Sequence, residues 1–201
     1  AAMLYAGHLC NSELVPEKRT QFSKKLYSRL QHMEKQVRDM MLFVKSELPL
    51  NDVVSLSDLE LGLREAAEVA LHTTDSACQW TNTHPTLGIK CHREALISAI
   101  MNLINNGIQA CDGSPKLSVE ITCIEKDAKR FAQISVVDFG EGIDTGELDR
   151  SQEMFVTTKA QGTGLGLSVV QSVARAHGGT FELHSQRGKG SQARIEIPII
   201  E

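Results

Sequence analysis

The chain has 201 residues, 41% of them apolar, and a formal net charge of −4, enough for one compact domain with a true core plus a smaller element. The acidic balance speaks against nucleic acid as the main partner. No apolar run approaches the roughly 20 residues that span a bilayer, and no leader pattern opens the sequence, so the reading is a cytoplasmic piece of a longer protein. Five cysteines (Cys10, Cys78, Cys91, Cys111, Cys123) form no C-x-x-C pair, as suits reduced thiols. Cys78, His84, Cys91 and His92 follow no standard zinc spacing.

Residues 1–10 read as the end of one helix, and the polar run Asn11–Glu17 with Pro16 as a turn. A long helix follows from about 18 to 46. Phe22, Leu26, Leu30, Met33, Val37, Met40 and Val44 step by three and four residues, close to a heptad seam. The segment 18–45 holds eight Lys/Arg against Glu34 and Asp39, a local charge of +6, which leaves −10 for the rest. Two such helices cannot bury one seam alone. A dimer forming a four-helix bundle can. The predicted domains are therefore a helical hairpin over 1–48, a linker over 49–55 containing Pro49 at its start, and an α/β unit over 56–201.

Within that unit the pattern predicts a helix over 57–71, with Ser57 as its cap, and short strands near 77–82 and 87–91. A helix over 92–111 comes next, then strands near 116–125 and 131–138 joined by a charged turn. Residues 139–163 lack periodicity, and a loop of that length is usually functional or disordered. A helix over 165–177 stops at Gly178-Gly179. Strands near 180–185 and 192–199 close the chain around Gly188 and Gly190. The fold class is α+β: a helical hairpin, then an α/β sandwich with a mixed sheet covered on one face by helices.

Three segments carry chemistry. On the helix 92–111, Asn102, Asn105, Asn106 and Gln109 share one face. Four neutral amides are unusual on a surface, where Lys and Glu dominate. Their carbonyl oxygens can bind Mg²⁺ and their NH₂ groups can donate to phosphate. Asp138-Phe139-Gly140-Glu141-Gly142 ends a strand. A carboxylate there can accept from the exocyclic amine of adenine, whereas guanine would oppose it with a carbonyl. Asp-Phe-Gly also occurs in protein kinases, but no V-A-I-K strand, H-R-D-x-x-x-x-N loop or A-P-E accompanies it here. Gly162-Thr163-Gly164-Leu165-Gly166-Leu167-Ser168 runs into a helix whose N–H groups and dipole suit phosphate. It is neither a Walker A loop nor a G-x-G-x-x-G fingerprint.

Taken in order, these segments resemble the histidine-kinase-type ATPase domain, of the Bergerat fold shared with gyrase, the MutL mismatch-repair ATPase and the ninety-kilodalton heat-shock chaperone. Asn102–Asn106 resembles its N box, Asp138-x-Gly140-x-Gly142 its G1 box, Phe155–Lys159 its F box and Gly162–Gly166 its G2 box. Gly188–Ser191 resembles a later glycine turn. The resemblance spans about 75–201. It departs at Gln152 and Met154, where the F box carries Phe and Pro, and at Gly107, where Ala is usual.

The resemblance implies ATP and Mg²⁺ as ligands. Asn106 would hold the cation, with Asn102 supporting the same site and Gln109 extending the amide face. Asp138 would contact the adenine amine, flanked by Gly140, Gly142 and Ile143. Gly162, Thr163, Gly164, Leu165, Gly166 and Leu167 would bring backbone amides to the phosphates. Residues 143–161 would form a lid carrying Thr157, Thr158 and Lys159, the last within reach of a phosphate. The hairpin resembles the dimerisation and phosphotransfer helices of sensor histidine kinases, which implies a homodimer and a response regulator receiver domain as partners. Their acceptor motif His-Glu/Gln-x-Arg-Thr-Pro-Leu is absent, and His8 and His32 lack it, so the acceptor is expected about ten residues before Ala1. Ala1–Ala6 and Asp39–Lys45 look most like polar-flagellar sensor kinases of the nitrogen-regulatory class. Other ATPases of the class (an anti-sigma kinase, a chaperone-like ATPase) and a degenerate docking scaffold are the competing readings.

Overall fold

The computed structural model describes residues 2–10, 14–44, 49–111, 113–144, 146 and 164–200. The chain divides into two compact units, Ala1–Met41 and Leu42–Glu201.

The first unit is a helical hairpin of α1 (Ala2–Leu9) and α2 (Pro16–Val44). Pro16 opens α2 instead of belonging to the preceding turn. At the first helical position its missing N–H has no intrahelical partner to lose, and its fixed φ already suits a helix. The helices meet at Phe22, whose ring stacks on Tyr5 at 5.9 Å and on His8 at 5.1 Å. Lys25 Nζ lies 5.7 Å from the Tyr5 ring centre. Leu30, Met33, Val37 and Met40 are all more than half exposed. The heptad seam is thus exposed from Leu30 to Met40, while Phe22 and Leu26 are half-buried.

The second unit begins with β1 (Asp52–Ser55) and α3 (Leu56–Thr73), then β2 (Ala77–Asn82), β3 (Gly88–Cys91) and α4 (Arg93–Ala110). It continues with β4 (Lys116–Lys126), β5 (Lys129–Asp138), α5 (Gly166–Ala176), β6 (Thr180–Gln186) and β7 (Gly190–Pro198). Two expectations need correction. Residues 52–55, read as linker, form β1, which pairs antiparallel with β3 from Asp52↔Cys91 to Ser55↔Gly88. Burial of Val54 and the Asp52 carboxylate, which accepts from the Arg93 N–H at 3.1 Å, hold it there. The cap of α3 is Ser55 rather than Ser57: Ser55 Oγ accepts from the Asp58 N–H at 3.0 Å and donates to Asp58 Oδ2 at 2.6 Å.

The larger sheet has the order β2-β4-β5-β7-β6, with β2 parallel to β4 and every other pair antiparallel. Strict alternation puts Val119 and Ile121, Ile134 and Val136, and Ile195 and Ile197 on one buried face. They join Leu96, Ile100 and Ile104 of α4 and Val169, Val170 and Val173 of α5 in one core. Each such side chain contributes about 1.5–3 kcal/mol by leaving water.

A buried histidine pins the two site-bearing helices at one end. His177, only 3% exposed, caps α5. Its Nδ1–H donates to the Val173 carbonyl at 2.7 Å, and its Nε2 accepts from the His92 N–H at 3.0 Å. The neutral ring satisfies both bonds, whereas a second proton on Nε2 would face an N–H. Burial lowers its pKa from the ordinary 6.5; the Val173 carbonyl works against this and nearby His92 adds to it. Above 6.5 neither state of the chain protonates this ring. As the pH falls below that value the unfolded chain takes up a proton first, so stability is lost toward acid. The melting temperature should fall between about pH 7.5 and about pH 5.5, and fall less in His177→Gln. Equal falls in the two proteins would contradict this role.

Candidate nucleotide site

The amide face of α4 is graded in burial. Asn102 is 5% exposed, Asn105 and Asn106 are half-buried, and Gln109 is exposed. The face therefore rises out of the core toward the end of α4. Nδ2 of Asn102 has no hydrogen-bond partner among the described residues.

Asp138 closes β5 against this helix and is 8% exposed. A Cβ placed on Gly107 would come 3.1 Å from Asp138 Cβ, so the helix backbone passes directly beside the carboxylate. The alanine usual at this position in the resemblance would press on that side chain. Asp138 Oδ1 accepts from the N–H of Gly140 at 3.0 Å and of Ser191 at 3.2 Å. Two backbone donors on one oxygen fix the carboxylate plane.

The turn after Asp138 is bolted to its surroundings. Any side chain on Gly140 would overlap the Ala110 carbonyl oxygen, which accepts from the Glu141 N–H at 3.0 Å. Gly142 has φ +66. The Ile143 N–H donates to Ser185 Oγ at 2.7 Å, and the Ile143 side chain packs against the core. Ser185 Oγ in turn lies 2.9 Å from Ser191 Oγ. Thus the turn is tied to the β6–β7 hairpin, which also supplies the Ser191 N–H.

The glycine-rich segment enters α5 next to the amide face. Gly164 has φ +68, Leu165 is buried, and Leu167 packs on the core. A Cβ on Gly166 would lie 4.0 Å from Asn106 Nδ2. The first turn of α5 and the Asn106 amide therefore face one another. Of the expected site residues, Thr157, Thr158, Lys159, Gly162 and Thr163 lie outside the described residues, as does nearly all of the expected lid.

An amide face, a carboxylate fixed by two N–H groups and a glycine-led helix start converge on one end of α4. The family of histidine kinase-, DNA gyrase B- and HSP90-like ATPases matches residues 91–201, more than half of the chain, and includes all three elements. The chain belongs to this family.

Individual proteins extend the likeness beyond the matched domain. The sensor protein kinase FleS of Pseudomonas aeruginosa is 42% identical over 200 residues, covering 100% of this chain and 48% of FleS. The chain thus spans about half the length of that relative. Among solved structures, full-length ShkA in complex with AMPPNP aligns with a TM-score of 0.75 at 24% identity, over 98% of this chain and 42% of ShkA. The histidine kinase ThkA in complex with the response regulator TrrA aligns at 0.65 and 20% identity, over 98% of this chain and 55% of that one. At such identities the structures attest the Bergerat fold alone. Among the described residues no helix is long and apolar enough to cross a membrane.

Sequence reasoning did not find Ser185, His177 or the Ser191 N–H as a clamp on Asp138. The Ser191 signal was latent in the pairing register, which sets Asp138 opposite Ser191.

Proposed function

We propose that this chain is the ATP-binding catalytic core of a sensor histidine kinase. The full protein transfers the ATP γ-phosphate to a histidine nitrogen, breaking the bond to ADP and forming an N–P bond, and then passes it to a receiver aspartate. The observation that carries the reading is the convergence of Asn106, Asp138 and the start of α5 on one end of α4. The residues fit ATP and Mg²⁺. Asp138 is a fixed acceptor for the adenine amine, and the α5 N–H groups suit phosphate. The Asn102 and Asn106 amides supply the neutral oxygens a hard cation takes.

In this reading Asp138 selects the base, and Gly164 and Gly166 let backbone donors approach the phosphates. Asn106 would hold the cation with Asn102 supporting it, and Lys159 would neutralise phosphate charge. Bound Mg²⁺ would spread the charge that develops as the phosphoryl group moves. Phosphoryl transfer demands little else of the protein than positioning and electrostatics.

The uncovered seam of α2 supports a homodimer through the hairpin, where a second copy would bury Leu30, Met33, Val37 and Met40. It also favours a histidine kinase over an anti-sigma kinase or a chaperone-like ATPase. The +6 segment supports docking of an acidic receiver. The identity to the sensor protein kinase FleS supports the flagellar-regulatory reading.

The test is calorimetric titration of the chain with AMPPNP, with and without Mg²⁺. Wild type should bind about tenfold or more tightly with the ion, and Asn106→Ala should lose that difference while keeping its Mg²⁺-free affinity. An unchanged Mg²⁺ effect in Asn106→Ala would remove the residue from the cation site.

A further inference from the structure

Three side chains form a row across one end of the larger sheet. The pairing register sets Asp138 of β5 opposite Ser191 of β7, and Ser191 opposite Ser185 of β6. Asp138 follows buried Ile134 and Val136 at every second place, Ser191 precedes buried Ala193, and Ser185 follows buried Leu183. Alternation therefore puts all three on the face that packs against the helices.

In an antiparallel ladder the N–H and C=O of one residue point to the same neighbouring strand. The Ser191 N–H points to β5, where it meets Asp138 Oδ1 at 3.2 Å. Ser191 and Ser185 are therefore a pair without backbone bonds between them, the kind whose side chains come closest. Ser185 Oγ bridges that pair. It accepts from the Ile143 N–H at 2.7 Å and donates to the Gly190 carbonyl at 3.1 Å. The donation uses its one hydrogen, so the Ser191 hydroxyl, 2.9 Å away, donates to it. A hydroxyl has one donor and two acceptor positions, and all three are taken.

The Gly190 carbonyl and the Ser191 N–H belong to one peptide unit. That unit is planar and trans, so the two groups point in opposite directions. On one side Ser185 holds the oxygen, and on the other the N–H holds Asp138. The Ser185 hydroxyl thereby fixes the plane of the peptide that clamps the carboxylate. By drawing on the oxygen it also strengthens the N–H as a donor.

We propose that Ser185 is a positioning residue for base recognition, acting through the Gly190–Ser191 peptide on the Asp138 carboxylate. The inference rests on the ATP reading above. Asp138 Oδ1 is held by Gly140 from its own turn and by Ser191 from a neighbouring strand. The first bond moves with the turn, whereas the second refers the carboxylate to the sheet. Without the Ser185 hydroxyl, the Gly190 carbonyl and the Ser191 hydroxyl lose a common anchor, and the peptide between them is released to tilt. Ser185 is half-buried, so water can take over the Ile143 N–H and the fold survives. A loose water does not hold the peptide plane. The carboxylate then turns away from the adenine amine, while contacts to the rest of the nucleotide remain.

The test is calorimetric titration of wild type, Ser185→Ala and Ser185→Thr with ADP and with purine riboside 5′-diphosphate, which lacks the exocyclic amine. Wild type should bind ADP about tenfold or more tightly than the amine-free compound. Ser185→Ala should lose about fivefold in affinity for ADP and nothing for the amine-free compound. Ser185→Thr keeps the hydroxyl on a strand, where β-branched residues fit, and should keep the wild-type ratio. Equal losses for the two compounds in Ser185→Ala would overturn the proposal and leave a merely structural serine. Undiminished ADP affinity in Ser185→Ala would overturn it too, as would a folded Ser185→Thr that loses as much as the alanine variant. Failure of wild type to bind ADP would instead overturn the ATP reading, and equal binding of the two compounds by wild type would overturn the role of Asp138; this inference falls with either. Melting temperatures of the same proteins separate loss of binding from loss of fold.

Discussion

Asp138→Asn should lower affinity for adenine nucleotides by about a hundredfold or more while the protein stays folded. The reason lies in the two N–H groups that already hold Oδ1, from Gly140 and Ser191. An asparagine has one oxygen and one NH₂. If its oxygen takes the place of Oδ1, its NH₂ becomes the second group of the pair and meets the adenine amine donor to donor. If the amide turns over, the NH₂ meets the two backbone donors instead. A carboxylate is acceptor-only at both oxygens and avoids both conflicts. Calorimetry gives the affinity and circular dichroism the fold. Wild-type affinity in Asp138→Asn would remove the carboxylate from the recognition of the base.

Gly190→Ala should cost more than about 3 kcal/mol of stability, roughly 10 °C in melting temperature, and weaken nucleotide binding as well. Gly190 has φ +83, where an alanine is strained, and its Cβ would overlap the Asp138 carbonyl oxygen and lie 2.9 Å from Phe139 Cα. Relief requires the start of β7 to move away from the end of β5. That movement withdraws the neighbouring Ser191 N–H from Asp138, so fold and site are damaged by one displacement. Thermal melting beside a nucleotide titration checks both parts. A protein as stable as wild type would show that this strand end is not tightly held.

The parts of the fold visible in the sequence are those governed by local rules. The heptad spacing of Phe22 to Val44 foretold α2, and the amide spacing from Asn102 to Gln109 foretold a polar stripe on α4. Glycines at 162–166 marked a helix start. The parts that escaped depend on partners distant in sequence or on a choice between near-equal neighbours. β1 is four residues long and exists because β3, more than thirty residues later, pairs with it. Ser57 alone reads as the cap, but the helix begins at Leu56 directly after β1, so the capping place falls to Ser55. His177 reaches a backbone N–H 85 residues away, and no local pattern announces that. The burial of Asn102 was not visible either: a helical wheel groups it with Asn106, but the approach of α5 separates them into a buried and a half-buried amide. The clamp on Asp138 is a backbone N–H, which residue identity does not reveal.

Binding of adenine nucleotides at the end of α4 underlies every role assigned above. The most direct measurement is a pair of titrations of the wild-type chain in Mg²⁺, one with AMPPNP and one with its guanine counterpart. AMPPNP should bind saturably and one to one, and the guanine compound at least about a hundredfold more weakly, because Asp138 would oppose its carbonyl. Equal affinity for the two, or no binding of either, would contradict it.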